Sequence, residues 1–270
     1  MAHKFHFISG LPRSGSTLLS ALLRQNPSVH AHMSGPVGGI VGNLMDSMAA
    51  SNEFSVFISD AQRSRILRGV FDSYYGDEYP EVIFDTNRGW CARMPLLQML
   101  HPGSKVIACV RDTSWILDSI ERLHRRNPAL PSSLFNHQSG GTVYSRIDGV
   151  AGPNGMLGFA YNALKEAFYG NHAKHLLVVQ YDTLTAEPQR VFDAIYAFIG
   201  LPAFQHDFEN ARFDAAEFDR KAGTPGLHTV HSTVTQNIRD PILPPDIFNR
   251  FINDAFWKNP AANPHGVTVV

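Results

Sequence analysis

Short apolar runs alternate along the chain with longer segments in which apolar residues recur at helical spacing. Each run is bounded by polar or turn-forming residues and has the character of a strand buried on both faces of a parallel sheet. The runs lie at residues 5–8, 82–84, 106–110 and 176–179. The helical patterns lie at residues 17–24, 63–74, 94–100, 114–126, 159–168, 191–199 and 246–256. This alternation predicts an α/β fold in which helices flank a doubly wound parallel sheet.

Two segments interrupt the alternation. Residues 127–158 are rich in Pro, Gly, Ser and Asn, which predicts a long surface excursion rather than a linker between two cores. Residues 223–245 contain few apolar side chains and include His228, Ser232 and Arg239. Because ligands in such folds bind at the carboxyl ends of the strands, where loops converge, we expect both segments to lie near a binding site.

Composition limits the partners of this fold. The 270 residues, of which 44% are hydrophobic, fit one α/β domain that covers residues 1–270. A formal net charge of −1 gives no general attraction to nucleic acid or anionic lipid, so an anion site must be local. Cys91 and Cys109 lack the spacing of a metal or redox pair. With no signal peptide and no apolar run of membrane-spanning length, we expect a reduced, cytoplasmic setting.

Residues 9–17, which we call the phosphate loop, join the first apolar run to the first helical pattern with the sequence Ser-Gly-Leu-Pro-Arg-Ser-Gly-Ser-Thr. Glycines and small hydroxyl residues let successive backbone N–H groups converge on one anion, and the helix adds its positive dipole end. The lysine of a nucleoside-triphosphate loop is missing, because Gly15 is followed by Ser16 and the cation in this loop is Arg13. The segment therefore predicts a P-loop-like site for an anion other than ATP; the alternative is an ordinary turn with a serine helix cap.

A second anion site is predicted at the end of the run 106–110. Arg111 follows that run directly, and the next helical pattern carries Ser119. A guanidinium offers a planar fork to two phosphate oxygens, and a hydroxyl adds one short donor, which together suit a dianionic monophosphate. The alternative is that Arg111 and Asp112 only cap the helix.

Three sequence blocks carry a resemblance to a known family. LPRSGSTLLSALLRQNP, HPGSKVIACVRDTSWILDSI and VVQYDTLTAEPQRVFDAIYAFIGLP together resemble the sulfotransferases that use 3′-phosphoadenosine 5′-phosphosulfate (PAPS), especially the tyrosylprotein-like and bacterial branches. The order and spacing of the blocks match over residues 11–202. The resemblance implies in-line transfer of a sulfuryl group from PAPS to a hydroxyl or amine, with no requirement for a metal.

The resemblance also assigns residues to the donor. The 5′-phosphosulfate would be held by Arg13, Ser14, Gly15, Ser16 and Thr17, and the 3′-phosphate by Arg111 and Ser119. Tyr181 would border the nucleotide, Ser232 would approach the bridging oxygen of the donor, and Arg250 would lie near the nucleotide. Tyr181 can equally be a core or rim tyrosine, and Arg250 an exposed helix charge.

Catalysis by this route needs cations where charge accumulates on the leaving phosphate. Arg13 is placed for that task, and Arg88 stands about where the tyrosylprotein-like relatives carry a catalytic lysine. An ordinary surface arginine is the alternative for Arg88.

The acceptor must also lose a proton to a carboxylate or imidazole. Ser34 occupies the place of the glutamate that serves the tyrosylprotein relatives, so the expected base is missing. His32 is the nearest replacement by position, followed by His30 and then Asp85. We expect a small-molecule acceptor rather than a protein, and leave open whether the chain forms a homodimer.

Two other functions are compatible with the sequence. A P-loop small-molecule kinase is disfavoured by the missing loop lysine and by the lack of a clear acidic metal ligand at a strand end. A catalytically silent nucleotide-binding relative stays open because the family glutamate is absent.

Overall fold

The structure is a computed structural model that describes residues 3–129, 141–213, 215–221, 223–230, 232–236 and 239–270. Within these residues one six-stranded sheet has the order β2-β3-β1-β4-β5-β6, and every neighbouring pair is parallel. The strands are β1 (Lys4–Gly10), β2 (Val29–Ala31), β3 (Val82–Thr86), β4 (Val106–Val110), β5 (Leu176–Gln180) and β6 (Thr268–Val269). The predicted α/β fold with a doubly wound parallel sheet is confirmed.

Helices cover both faces of the sheet. They are α1 (Ser16–Leu23), α2 (Val37–Ser47), α3 (Asp60–Tyr74), α4 (Met94–Leu100), α5 (Thr113–Arg126), α6 (Val143–Ala151), α7 (Met156–Tyr169), α8 (Tyr181–Ala186), α9 (Pro188–Ile199), α10 (Ala216–Lys221) and α11 (Pro245–Arg250). Helices α2 to α7 and α11 contribute to the hydrophobic cluster on one face, and α1, α8 and α9 contribute to the cluster on the other. None of the described helices has the length and hydropathy needed to cross a bilayer.

Burial on both faces explains why the strands are continuous apolar runs. In β1, Phe7 belongs to one hydrophobic cluster and Ile8 to the other, and both are fully buried. Successive side chains point to opposite faces, so a strand covered by helices on both sides needs apolar residues at every position.

The strand order places a crevice beside β1. From β1 the chain runs out to β2, returns through β3 on one side of β1, and then crosses to β4 on the other side. Ligands of doubly wound sheets bind outside the carboxyl ends of the strands where the order reverses in this way. The phosphate loop leaves β1 at this position.

Some elements differ from the sequence prediction. Strands β2 and β6 were not predicted, because they are three and two residues long and carry little pattern. Helix α2 contains three glycines, each of which costs about 1 kcal/mol in a helix interior, so propensity argues against it. Its buried Val37 and Val41 nevertheless pack on the core, and a Cβ at Gly38 would lie 2.4 Å from Asn87 Nδ2. Packing therefore overrides propensity at α2.

The predicted excursion at residues 127–158 is wrong in its second half. Helix α6 and the start of α7 lie there, with Ile147, Val150 and Leu157 buried against the core. Residues 130–140 of that segment lie outside the described part of the chain. The predicted helix 246–256 ends early, at Arg250, and a turn follows.

Candidate active site

A cavity of about 940 Å³ opens at the carboxyl ends of β1, β3, β4 and β5. It is lined by the phosphate loop, by residues that follow the strands, and by the described part of residues 218–239, which we call the late wall. Among the described residues that line it there is no carboxylate. Its basic side chains are Arg13, Arg88, Arg111, Arg126, Arg239 and His228. A chain with a net charge of −1 thus concentrates positive charge in one pocket.

Glycines set the course of the phosphate loop. Gly10 has φ 102°, and a Cβ there would lie 2.2 Å from the Cys109 carbonyl oxygen of β4. Gly15 has φ 94°, and a Cβ there would lie 2.9 Å from the Tyr181 ring. Both positions therefore require glycine. The N-terminus of α1 has no side-chain cap, so its backbone N–H groups are available to an anion.

Arg13 adopts a left-handed backbone conformation with φ 57°, which no other non-glycine residue among those described shares. Such a conformation costs of order 1–2 kcal/mol and tends to occur at functional sites. The conformation turns the Arg13 side chain into the cavity, where Nε donates a hydrogen bond to Ser119 Oγ at 3.2 Å and Nη1 donates to the Leu227 carbonyl. Burial, followed by the charge of Arg111, lowers the pKa of Arg13 to about 10.

Ser14, which the resemblance assigns to the 5′-phosphosulfate, supports the phosphate loop with its side chain. It is fully buried and does not line the cavity. Its hydroxyl is directed at the Leu11 carbonyl and at the Cys109 carbonyl, the latter at 2.9 Å. The hydroxyl therefore holds the loop against β4, and Ser14 can reach a phosphosulfate only through its backbone N–H. Ser16 and Thr17 do line the cavity.

Arg111 faces the same cavity from the end of β4. Its guanidinium carbon lies 4.3 Å from the centroid of the Tyr181 ring, which is a cation–π contact. Its Nε is buried and has no hydrogen-bond partner among the described residues, and burial lowers its pKa. A buried donor of this kind needs an acceptor. The two predicted anion sites are thus parts of one cavity, joined where Arg13 meets Ser119.

The end of β3 supplies the wall opposite Arg111. Arg88 lines the cavity, and the surrounding protein atoms desolvate its guanidinium and lower its pKa. Ser9 Oγ donates to the Arg88 carbonyl at 3.0 Å, which ties this wall to β1. Asp85 lies beneath, fully buried, and accepts from Tyr75 Oη at 2.6 Å and from Trp90 Nε1 at 2.7 Å. Asp85 does not line the cavity, so this candidate base is part of the core.

Carboxylates hold the late wall in place. On α5 the buried Asp118 pairs with Arg122 at 2.8 Å and with Arg239 at 3.2 Å, and it accepts from the Ile242 backbone N at 2.6 Å. These contacts fasten the chain after the late wall to the helix that carries Ser119. Arg239 is thereby brought into the cavity lining.

A second buried carboxylate holds His228, which the sequence placed in a segment near the site but did not single out as a candidate base. Asp219 is 2% exposed, and its Oδ1 lies 2.5 Å from His228 Nδ1 while its Oδ2 accepts from the His228 backbone N at 2.8 Å. His228 lines the cavity. The chain has 13 histidines, and Asp219 lies in the charged stretch Ala216–Lys221, so no local pattern indicated this pair.

The remaining candidates lie outside the cavity. His32 is exposed, with Nδ1 2.9 Å from the Ser34 carbonyl and its ring against Phe213, although Ser34 itself lines the cavity. His30 packs against Tyr75 and Tyr79.

Ser232 and Arg250 also differ from their predicted positions. Ser232 is exposed and lines a separate, shallower cavity with Arg24, Arg212 and Phe213, although its neighbour Thr233 lines the main one. Arg250 pairs with Asp148 at 2.6 Å and stacks on Phe251 at the surface of α11. It does not line the cavity, so the exposed helix charge is the reading that fits the structure.

The cavity suits the donor that the resemblance implies. Its volume lies within the range of small-molecule sites. It combines basic side chains, a glycine loop and the Arg111 Nε, which has no partner in the described part of the chain. Among the described residues no group of three or more His, Cys, Asp and Glu side chains is placed to hold a metal.

Comparisons with known proteins agree with this geometry. The model of the sulfotransferase family matches residues 6–206. The sulfotransferase domain from the curacin biosynthetic pathway shares the fold at 16% identity and a TM-score of 0.61, covering 93% of this chain and 96% of that chain. The crystal structure of mouse sulfotransferase SULT7A1 complexed with PAP shares it at 15% identity and a TM-score of 0.51, covering 95% and 85%.

A comparison with curated protein sequences finds no match. The family model nevertheless covers most of the chain, including the phosphate loop and strands β1 to β5. The chain therefore belongs to the sulfotransferase family.

Proposed function

We propose that this sulfotransferase moves the sulfuryl group of PAPS to a hydroxyl or amine of a small molecule, within one domain that spans residues 1–270. The observation that carries the proposal is the cavity at the carboxyl ends of β1 and β4. There Arg13, Arg111 and Ser119 face one space that no described carboxylate lines. A donor with a phosphate at one end and a phosphosulfate at the other matches that distribution of charge.

The two ends of the donor take different residues. The phosphosulfate binds to the backbone N–H groups of the phosphate loop, to the Ser16 and Thr17 hydroxyls and to Arg13. The 3′-phosphate binds to Arg111, whose Nε has no other partner among the described residues, and to Ser119. Tyr181 supports the Arg111 guanidinium and borders the nucleotide. The mouse relative was solved with PAP, the product that PAPS leaves behind.

The chemistry is an in-line displacement at sulfur. The acceptor oxygen or nitrogen forms a bond to sulfur while the bond from sulfur to the bridging phosphate oxygen breaks. The electron pair of the broken bond goes to the 5′-phosphate of the leaving 3′-phosphoadenosine 5′-phosphate (PAP). Arg13 and Arg88, which face the cavity from two strand ends, stabilise the charge that grows there.

The acceptor side of the cavity supports a small molecule. Apolar side chains share the lining with the basic ones, namely those of Met33, Met156, Phe218, Val230 and Val234. Such a surface favours an apolar or aromatic body that presents one hydroxyl or amine. A cytoplasmic location belongs to the same proposal, and a homodimer stays a prediction. The kinase alternative is not favoured, because the chain is a sulfotransferase by family and its loop lacks the phosphate-binding lysine.

The test is transfer from radiolabelled PAPS to a panel of phenols, alcohols, sugars and amines, run beside ATP with Mg²⁺. We expect labelled product and an equal amount of PAP with PAPS, and no phosphorylation with ATP. The exposed Arg65→Ala variant serves as a matched surface control. Phosphorylation from ATP, or PAP binding without transfer to any acceptor of the panel, contradicts the proposal.

A further inference from the structure

Transfer to a hydroxyl requires a group that accepts the proton of the acceptor. We propose that His228 is this general base and that Asp219 is its positioning residue, an inference that rests on the sulfuryl transfer proposed above. Neither residue lies in the three sequence blocks that resemble the family. The inference comes from the contacts that bring them to the cavity.

Asp219 fixes both the orientation and the tautomer of the imidazole. Its two oxygens hold the Nδ1 and the backbone N of the same histidine, at 2.5 and 2.8 Å. Because an ionised carboxylate only accepts hydrogen bonds, Nδ1 carries the proton and Nε2 keeps its lone pair. The Phe218 ring meets the imidazole edge-on at 5.6 Å and limits its rotation. The imidazole is therefore held as a base whose free nitrogen is Nε2.

His228 lies beside the residues that handle the phosphosulfate. The preceding residue, Leu227, accepts a hydrogen bond from Arg13 Nη1 through its carbonyl. The charges of Arg13 and Arg88 both act on the imidazole, so it lies near the guanidinium groups proposed to stabilise the leaving phosphate. An acceptor hydroxyl in line with the breaking bond must approach this same part of the cavity.

Burial of the His228 imidazole is the main reason that it is neutral near pH 7. Burial lowers the pKa of the imidazole, Asp219 on α10 opposes that effect, and Arg13 from the phosphate loop and Arg88 from the end of β3 add to it. The lowered pKa leaves the unprotonated form in excess at neutral pH. Once the imidazole has taken a proton, the adjacent carboxylate stabilises the imidazolium.

The step balances without a further reactant. The acceptor O–H bond breaks and its proton moves to Nε2, the oxygen bonds to sulfur, and PAP leaves with the electron pair of the broken bond. The imidazolium then releases the proton to solvent.

The other candidate bases are placed elsewhere. His32 is exposed outside the cavity, and Asp85 is committed to Tyr75 and Trp90 in the core. Among the described lining residues, His228 is the one with an imidazole, and none carries a carboxylate.

The test compares H228Q, D219N and the control H172Q, which changes a histidine that does not line the cavity. Rates are measured with PAPS and the best acceptor of the panel, and calorimetry with PAP verifies folding and donor binding. H228Q should lose about 10²- to 10⁴-fold in kcat while its affinity for PAP stays near that of the wild type. D219N should show a smaller loss of kcat, and H172Q none.

The pH dependence of the transfer rate distinguishes a positioning role of Asp219 from a purely structural one. Because the base must be unprotonated, the rate of the wild type should rise with pH along a limb whose midpoint lies below 6.5. D219N removes the carboxylate that raises the pKa, so its limb should move to lower pH. An H228Q variant that keeps its kcat, or an unmoved limb in D219N, overturns the proposal.

Nitrogen-15 NMR spectra of the His228 imidazole test the proposed tautomer without the need for an acceptor. They should show the proton on Nδ1 in the wild type and a mixture of tautomers in D219N. A wild-type imidazole protonated on Nε2 overturns the inference. If the wild type transfers nothing from PAPS but shows the expected tautomer, the proposed function fails while the base geometry stands.

Discussion

The phosphate loop and the late wall face each other across one cavity but are built differently. The phosphate loop is held by backbone: Gly10 lies against β4, Gly15 lies against Tyr181, and Leu11 N donates to the Cys109 carbonyl at 2.8 Å. The late wall is held by the buried carboxylates Asp118 and Asp219, on α5 and α10.

In the proposed function, this difference separates the two halves of the reaction. The phosphate loop, held by backbone contacts, would meet the phosphosulfate, whose position must be the same for every acceptor. The late wall, held by ion pairs, carries His228 and Arg239 and would meet the acceptor. Arg13 connects the phosphate loop to the late wall through the Leu227 carbonyl, and to α5 through Ser119. Replacing Asp118 or Asp219 should therefore disturb the late wall and leave the phosphate loop in place.

Replacing Asp118 should have the largest effect on stability. Asp118→Ala leaves Arg122, Arg239 and the Ile242 N–H without their partner, and breaking a buried ion pair in this way costs about 3–5 kcal/mol. Urea denaturation measures the loss. Glu217→Ala is the matched control, since its pair with Lys221 is exposed and contributes about 0–0.5 kcal/mol. Equal losses in the two variants would show that Asp118 does not hold the late wall.

Replacing Arg13 should have the largest effect on turnover among the donor residues. Arg13→Ala removes a cation from the leaving phosphate and disconnects the two walls, so kcat/KM for PAPS should fall about 10²- to 10³-fold. Initial rates with labelled PAPS measure it, with Arg65→Ala as control. An Arg13→Ala enzyme within a few-fold of the wild type is incompatible with the assigned role.

Replacing Arg111 should change selectivity rather than overall binding. Arg111→Ala should weaken PAP by about 10- to 100-fold and leave AMP nearly unaffected, because a charged hydrogen bond to the 3′-phosphate contributes about 1.5–3 kcal/mol. Calorimetry with both ligands gives the ratio. Losses of the same size for PAP and AMP would contradict the assignment of the 3′-phosphate to Arg111.

Acid should weaken the sheet under the phosphate loop. Burial lowers the pKa of His6 to about 3 and that of His101 to about 4. His6 Nδ1 accepts from the Lys105 backbone N at 3.1 Å, a contact that a proton on Nδ1 would break.

Between these pKa values and about 6.5, the unfolded chain therefore binds more protons than the folded protein. The contribution of the two buried histidines to the free energy of unfolding is fully present above about pH 6.5 and decreases as the pH falls toward 4. Melting temperatures measured at neutral pH and at about pH 5 should differ, and His6→Gln should narrow the difference. A melting temperature that stays constant over this window contradicts the predicted effect of the buried histidines.

The parts of the fold and site that depend on local sequence pattern could be predicted. Four strands and the phosphate loop could be located, and Arg111 and Ser119 could be placed at one site, because buried strands are apolar runs and their ends share one edge of the sheet. The composition of residues 223–245 also predicted that this segment lies near the site, and the cavity lining agrees. The contacts that hold the late wall could not be predicted, because they join residues that are distant in the chain. Asp118 and Arg239 are far apart in the chain, and Asp219 looks like one charge in a solvated helix. Position relative to a family motif favoured His32 as the base, whereas the histidine among the described residues that line the cavity is His228.

The proposed function requires that one cavity bind an adenosine compound with phosphates at its 3′ and 5′ positions. Calorimetry of the wild type with PAP and with ADP tests this requirement. Both ligands carry two phosphates, but PAP has one on the 3′ and one on the 5′ oxygen, whereas ADP has both at the 5′ position. We expect PAP to bind at least about tenfold more tightly than ADP, a difference of about 1.4 kcal/mol, with or without Mg²⁺. Equal affinities, or tighter binding of ADP with Mg²⁺, would contradict the account.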